Sequence, residues 1–275
     1  MAGMSPSILR NNAIVLRVEY HSRDLEPDLT IFCIATNKYL NYAVTLYESL
    51  AVNANNTRIE FILLTNGVFE PEESQLISHK VVRIHELGWP WATLMRYHLI
   101  NTHQDLITSN QVCYIDADSI IHEPFWKDLE FNTFKNGIAV VEHPGYYRPE
   151  NLNFYLRNPR YLLADLKSRI TKGGLGSWET NRHSSSFVPR RLRRKYVCGG
   201  VWMGTKEAII QMCNVLSKRI DLDLEQNIIA SWHDESHLNW YFSKYDLSLL
   251  TPSYCYASGR ENIANLEMRI QAVDK

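Results

Sequence analysis

The chain has 275 residues, of which 45% are hydrophobic and 21% are charged, a balance typical of a soluble globular domain with a core of its own. Its formal net charge of −1 predicts no overall attraction to nucleic acid or acidic membranes. The five cysteines form no C-x-x-C pair, which argues against a zinc ribbon or a disulfide framework and for free thiols in a reducing compartment. The N-terminal residues contain no bilayer-spanning run and no secretory signal, so we predict a soluble, cytoplasmic protein.

Short apolar runs rich in valine and isoleucine alternate with longer segments of helical period along the chain. The runs predicted to be strands are 29–35, 59–64, 80–86, 111–116, 137–143 and 247–251. Helical periodicity covers 38–52, 91–107 and 206–220. This alternation predicts an α/β fold with a mostly parallel sheet, in which ligands bind at the carboxyl ends of the strands.

The middle of the chain, 148–195, is rich in turn formers and polar residues and is predicted to be loop with short helices. It ends in the basic run PRRLRRK at 189–195, which could bind nucleic acid or a membrane surface. No surface with interleaved aromatic residues accompanies the run, so a solvated loop is the preferred interpretation. No domain linker is visible, and we predict a single domain over 1–275.

Two aspartates lie at the end of the predicted strand 111–116. Side chains two positions apart in a strand share a face, so Asp116 and Asp118 are expected to point the same way. Two neighbouring carboxylates repel unless a cation lies between them or one is protonated, and hard oxygen ligands suit Mg²⁺ or Mn²⁺. The alternative, two solvated aspartates in a turn, stays open on this pattern alone.

The segment WHDESH contains two histidines one helical turn apart, as in zinc proteases. Neither zinc register fits, because the residue after His233 is Asp234 and not glutamate. The local alternative is a helix start, with Asp234 or Ser231 as the N-cap and Glu235 in the first turn.

Two glycines interrupt the strand-like run YVCGGVWMG at 196–204. Gly199 and Gly200 remove side chains where another backbone or a ligand comes close. A β-bulge explains them equally well.

Taken in chain order, these motifs resemble the family 6 retaining glycosyltransferases, which include the blood-group A and B transferases and α-1,3-galactosyltransferase. The resemblance covers about 30–275 and is most specific in WHDESHLN at 232–239. Supporting motifs are AT-NKY at 35–39, YIDAD at 114–118, HPGYY at 143–147, WETNRHSSSFVP at 178–189 and the C-GG segment. The resemblance implies a GT-A nucleotide-diphospho-sugar transferase fold. The expected form is a soluble bacterial or phage type member with an intact D-x-D.

The resemblance also implies roles for individual residues. The donor sugar and nucleotide would be bound by Ala35, Thr36, Tyr39, Arg96, Asp116, Asp118, Cys198, Gly199, Gly200, Asp234 and Lys275. Asp116 and Asp118 would hold Mn²⁺, or Mg²⁺, against the diphosphate, and Glu235 matches the candidate nucleophile. The acceptor would be contacted by His143, Trp232 and Ser186.

The activity implied is metal-dependent transfer of GalNAc or Gal from a UDP-sugar to a galactoside-type acceptor, forming an α-1,3 linkage. Retention requires either a glycosyl–Glu235 intermediate or a front-face route, and both stay open. Gly200 matches a glycine of the N-acetylgalactosamine transferases, so UDP-GalNAc is expected over UDP-Gal. Residues 148–176 look like an insertion beside the acceptor region. The tail 256–275 is expected to close over the donor.

Two other functions remain as alternatives to transfer. A hydrolase of UDP-sugars would use the same site with water in place of the glycan acceptor. A non-enzymatic, lectin-like module would keep aromatic platforms for sugars without needing the three carboxylates together. No nucleic-acid partner and no membrane span are expected.

Overall fold

The computed structural model describes residues 15–21, 26–149 and 152–273, which form a mixed α/β fold. The strands are β1 (Val15–His21), β2 (Leu29–Ile34), β3 (Ile59–Thr65), β4 (Ile77–Ile84), β5 (Gln111–Ile115), β6 (Ser119–Ile121), β7 (Ile138–Glu142), β8 (Val197–Thr205), β9 (Ser248–Leu250), β10 (Tyr256–Ala257) and β11 (Ile270–Ala272). The α-helices are α1 (Tyr39–Asn53), α2 (Trp91–Leu94), α3 (Arg96–Thr102), α4 (Leu152–Arg157), α5 (Pro159–Lys172), α6 (Lys206–Glu225) and α7 (His233–Lys244).

The main sheet has eight strands in the order β1-β4-β3-β2-β5-β8-β7-β9. Strands β4, β3, β2 and β5 run parallel, whereas β8 is antiparallel to both of its neighbours. A small second sheet joins β10, β11 and β6. Every residue of β2 and β3 is buried, as expected for parallel strands covered on both faces. The prediction of a mostly parallel sheet flanked by helices is confirmed, and the fold is consistent with the GT-A type.

Two apolar clusters cover the two faces of this sheet. One contains Tyr97 of α3, Trp202 of β8 and Leu238 of α7, and the other contains Leu46 of α1 and Phe61 of β3. Helices α3 and α7 therefore lie on the same face, where they reach the carboxyl end of β5 and the middle of β8.

All six predicted strands are present, although their boundaries differ by a few residues. The predicted helix over 91–107 is instead two short α-helices and a 3-10 turn. The break falls at Met95, whose φ of −88° and ψ of 2° leave the α-helical region. Strand β1 was missed by the sequence analysis.

The prediction of loop with only short helices over 148–195 is wrong for α5, which has 14 residues. This helix starts at Pro159 and ends at Gly173, whose φ of 74° favours glycine. Its one buried residue is Asp165, while Leu163 is 69% exposed and Ile170 is 76% exposed. The usual apolar signal of a core-facing helix is therefore absent, because the apolar side chains face outward.

Two further expectations concern cysteines and membrane helices. All five cysteines are free, as predicted, and only Cys255 is more than slightly exposed. Among the described ranges, no helix combines the length and apolarity needed to cross a bilayer.

Candidate functional site

Arg96 is the centre of the candidate site, with a side chain that is only 3% exposed. Its guanidinium donates hydrogen bonds to the Gly199 carbonyl at 2.5 Å and to Oδ1 of Asp116 at 3.2 Å. It also lies 3.2 Å from Oδ2 of Asp234. Burial opposes the charged form, but Asp234, Tyr114 and Asp116 outweigh it and raise the pKa of Arg96. One permanent cation thus joins the end of β5, the middle of β8 and the start of α7.

Asp116 and Asp118 lie in the turn between β5 and β6. The prediction that they share one face of a strand is wrong, because β5 ends at Ile115. Oδ1 of Asp116 accepts a hydrogen bond from the Tyr114 hydroxyl at 2.9 Å as well as the one from Arg96. Asp118 is buried, with 9% of its surface exposed. Hydrogen bonds to Oδ1 therefore hold the Asp116 carboxylate in place.

The donor set of this turn fits a divalent cation shared with a phosphate ligand. Within the described part of the chain, no group of three or more His, Cys, Asp or Glu side chains is placed to hold a metal. Two carboxylates completed by substrate oxygens and water are the usual arrangement for Mg²⁺-like ions. Burial raises the pKa of the neighbouring Cys33 thiol, and Asp116 and Asp118 raise it further. The two carboxylates thus create a negative potential that favours a cation.

Gly199 and Gly200 let the backbone of β8 pass against three carboxylates. A Cβ on Gly199 would stand 2.9 Å from Oδ2 of Asp234 and 3.3 Å from Cβ of Glu235. A Cβ on Gly200 would stand 2.9 Å from Oδ2 of Asp116. The pairing of β7 with β8 is also irregular here, with Val140 opposite Trp202 but Glu142 opposite Val197. The close approach and the bulge therefore occur at the same place.

Helix α7 begins at His233, so Asp234 and Glu235 occupy its first turn, where the helix dipole favours negative charge. The prediction of Asp234 or Ser231 as N-cap is wrong, because the N-cap position is Trp232, which makes no side-chain cap. Burial raises the pKa of Asp234 to about 6, against the lowering effect of Arg96.

Glu235 has an unusual protonation equilibrium. Burial raises the pKa of Glu235 to about 7, although a hydrogen bond from the Gly199 N–H and the nearby Tyr196 hydroxyl lower it. The Gly199 bond to Oε2 is 2.9 Å long. A largely buried carboxyl whose pKa lies near neutral pH is typical of a reactive group.

Three residues that support the site had no assigned role in the sequence analysis. Asn239 donates to the Val197 carbonyl at 2.8 Å and accepts from the Val197 N–H at 2.9 Å, which ties α7 to β8. Glu179 accepts from the Ser231 N–H at 2.6 Å. Asn239, Glu179 and Tyr114 all lie inside the quoted motifs. Their place in these motifs was the one feature of the sequence that could have indicated a role at the site.

A cavity of about 550 Å³ opens beside Arg96, within the size range of small-molecule sites. Of the predicted donor residues, Thr36, Tyr39, Arg96 and Asp116 line it. Ala35 does not line it, because its side chain is fully buried. Four of the predicted donor residues therefore meet at one cleft, whereas the lining does not include Asp118, Cys198, Gly199, Gly200 or Asp234.

The predicted acceptor residues differ in exposure. Trp232 is 54% exposed. The His143 ring packs against Tyr146 and Tyr196, and burial, with a contribution from Arg260, lowers the pKa of His143 to about 4.

The prediction that Ser186 contacts the acceptor does not agree with its position in the structure. It is fully buried, and its hydroxyl lies 2.7 Å from that of Ser184, which donates to Asp223. Ser186 therefore stabilises the interior and does not reach the surface of the site.

Cys198 and the C-terminal tail complete the predicted donor set. The Cys198 side chain is buried, and a hydrogen bond with the Cys255 thiol and burial both raise the pKa of Cys198. Strand β11 pairs with β6, and the Val273 N–H donates to the Asp118 carbonyl at 2.8 Å. The tail thus lies beside the aspartate turn. Lys275 lies outside the described residues, and closure of the tail stays a prediction.

Comparisons with known proteins support the resemblance drawn from the motifs. Residues 172–275 match the family model described as Glycosyltransferase family 6. The O-antigen biosynthesis glycosyltransferase WbnI of Escherichia coli is 26% identical over 204 residues, covering 71% of this chain and 74% of that protein. The globoside alpha-1,3-N-acetylgalactosaminyltransferase 1 of Gallus gallus is 22% identical over 95% of this chain and 71% of its own length. The histo-blood group ABO system transferase 1 of Rattus norvegicus is 22% identical over 61% of this chain and 42% of its own length.

Proposed function

We propose that this chain, whose residues 172–275 match the model of glycosyltransferase family 6, transfers GalNAc, or galactose, from a UDP-sugar to a galactoside-type glycan with retention of configuration. The observation that carries the proposal is the convergence on Arg96 of Asp116, Gly199 and Asp234, with Glu235 next to the last of these. These groups would stabilise the charges that develop when a glycosyl diphosphate is cleaved.

The reaction places negative charge on the leaving diphosphate and positive charge on the anomeric carbon. The Arg96 guanidinium would stabilise the first charge, since it is buried and permanently charged. When bound, a divalent cation held by Asp116 and Asp118 would neutralise further phosphate charge. The Glu235 carboxylate would stabilise the second charge, either by forming a glycosyl ester or by electrostatics alone.

The donor sugar is proposed from the name of one relative, and the environment of Gly200 does not add to it. The Gallus gallus relative is named as an N-acetylgalactosaminyltransferase, which favours UDP-GalNAc as the donor. Gly200 was expected to leave room for the acetamido group, but Asp116 already approaches this glycine closely. Gly200 therefore has a packing role that is independent of the donor.

The test is a screen of UDP-sugars for UDP release in the presence of Mn²⁺, with and without fucosylated galactosides and lactose. Transfer predicts that UDP-GalNAc or UDP-Gal supports release and that an acceptor accelerates it. Release at the same rate without any acceptor would favour the hydrolase. Binding of glycans without release from any UDP-sugar would favour the lectin-like module.

Removing divalent ions should abolish transfer. Excess chelator is expected to lower the rate by at least about 100-fold, because two carboxylates without a cation repel the diphosphate. Calorimetry should show UDP-dependent Mn²⁺ binding that is lost in Asp116→Asn. The exposed Asp28→Asn variant serves as the control. Full turnover in excess chelator would contradict metal dependence.

Gly200→Ala should impair transfer from both UDP-GalNAc and UDP-Gal. The added methyl would stand 2.9 Å from Oδ2 of Asp116, whose other oxygen is held by Arg96 and Tyr114. We expect kcat/KM to fall about tenfold or more for each donor, in line with a displaced catalytic contact. Steady-state kinetics with both donors measure this. A loss confined to UDP-GalNAc would instead show that room for the acetamido group is what matters.

A further inference from the structure

A second cavity, of about 470 Å³, is lined in part by Tyr196, whose pKa is raised by burial and by the nearby Glu235 carboxylate. Its lining includes five cationic side chains, which are Arg148, Arg169, Arg193, Arg194 and Lys195. Among the described residues that line it, Glu142 alone carries a carboxylate. No role in donor binding accounts for this concentration of positive charge.

Part of this charge is neutralised within the protein. Arg148 pairs with the buried Asp165 at 2.8 Å, and Lys195 pairs with Glu142 at 3.0 Å. The Arg193 guanidinium donates to backbone carbonyls such as that of Val188, at 2.9 Å.

Three of the cavity's cations remain without a carboxylate partner. In the ranges that the structure describes, Arg169, Arg193 and Arg194 form no ion pair. The charges of these three side chains are therefore not balanced by a carboxylate in the described ranges, although the Arg193 guanidinium donates to backbone carbonyls.

The charge of the cavity reflects its segment of the chain. Residues 148–195 contain twelve Lys and Arg but three Asp and Glu, whereas the whole chain has a net charge of −1. The sequence analysis interpreted the basic run at 189–195 as a solvated loop. The structure instead places three of its side chains, together with Arg169 of α5, around one cavity. The predicted insertion and the basic run thus both contribute side chains to the same cavity.

We propose that this cavity binds an anionic group of the acceptor, a carboxylate or a phosphate next to the sugar that receives the transferred residue. This proposal rests on the proposed transferase function. It specifies in addition that the acceptor is negatively charged. Arginine guanidinium groups bind carboxylates and phosphates through paired hydrogen bonds. The cavity volume falls within the range of ligand sites.

The position of the cavity connects it to the reacting groups. Tyr196 and Tyr146 line the cavity, and both rings pack against His143. The Tyr196 hydroxyl donates to the Ser177 carbonyl at 3.2 Å, and burial together with the nearby Glu235 carboxylate raises the pKa of Tyr196. An acceptor whose hydroxyl reacts beside Glu235 would therefore extend along these two aromatic rings, which suit a sugar face, into the cationic cavity.

The test compares three acceptors, a galactoside linked to glucuronic acid, the same galactoside linked to glucose, and a phosphorylated galactoside. KM and kcat are measured at saturating donor, and Kd is measured by calorimetry with UDP and Mn²⁺. We expect at least one anionic acceptor to have a KM and a Kd about tenfold below those of the neutral one, with the difference shrinking as salt is added. The anionic acceptor that shows the effect identifies the group as carboxylate or phosphate.

Arg169→Gln combined with Arg194→Gln should remove about tenfold of this preference, mostly through KM and Kd and not through kcat. The matched control is Arg157→Gln combined with Arg191→Gln, which removes the same charge from the same segment outside the cavity. Equal affinity for all three acceptors in the unmodified enzyme would overturn the proposal, as would an equal loss in the control. Arginine-dependent calorimetric binding without any transfer would support the anion site and refute the transferase proposal instead.

Discussion

Replacing Glu235 by glutamine should reduce transfer by at least about 100-fold while UDP still binds. Glutamine has almost the same shape, and its carbonyl oxygen can still accept the Gly199 N–H at 2.9 Å. It has no negative charge to place against the anomeric carbon. Transfer kinetics and UDP calorimetry measure the two effects separately. The exposed carboxyl of Glu48 offers a control, since Glu48→Gln should leave both unchanged.

The same substitution should stabilise the folded protein at alkaline pH. Burial raises the pKa of Glu235 from 4.5 to about 7, so the folded state holds a proton that the unfolded state loses between these values. Stability therefore falls as pH rises through this window, and glutamine removes the penalty. We expect Glu235→Gln to raise the free energy of unfolding by about 2 kcal/mol at pH 8 and to change little at pH 4. Near-normal transfer by a stably folded variant would refute the catalytic role of this carboxyl.

Replacing Arg96 by methionine should damage both stability and activity. The change leaves two carboxylates of the site, those of Asp116 and Asp234, without their shared cation. Removing one partner of a buried ion pair costs about 3–5 kcal/mol, which denaturant unfolding measures. Arg58→Met is a suitable control, because Arg58 pairs with Asp28 at the surface and its loss should matter little.

Arg96→Lys separates the catalytic role of Arg96 from its structural role. Lysine keeps the positive charge but cannot contact Gly199, Asp116 and Asp234 with one rigid fork. We expect this variant to fold and to lose at least about 100-fold in kcat/KM. Full activity in Arg96→Lys would show that charge alone is needed and that the three-way contact is dispensable.

Local patterns were sufficient to predict the strands and the polar groups that follow them. The apolar runs of β2, β3 and β5 carry their own signal, because both faces of these strands are buried. Position along the chain then places Thr36 and Asp116 at the same edge of the sheet, and both line one cavity. For these residues the reasoning from sequence needed no knowledge of distant contacts.

Other features depend on contacts between distant parts of the chain, which no local pattern contains. The resemblance to family 6 placed Arg96 beside the diphosphate but did not predict that it binds the Gly199 carbonyl and two aspartates. The order of motifs along the chain also does not indicate how deeply a side chain is buried. Ser186 was therefore expected at the site although it is buried. Helix α5 was not predicted because its apolar side chains do not face a core, so the usual apolar pattern of a helix is missing.

The contacts of Arg96 and of its neighbour Tyr97 also link formation of the candidate site to folding of distant parts of the chain. The Arg96–Gly199 hydrogen bond spans 103 positions of sequence, and the bond from the Tyr97 hydroxyl to the Asp234 carbonyl spans 137. No continuous fragment shorter than these spans contains the groups that meet there. The candidate site therefore forms only when these distant segments have come together, and partial unfolding of either α3 or α7 is expected to disrupt it.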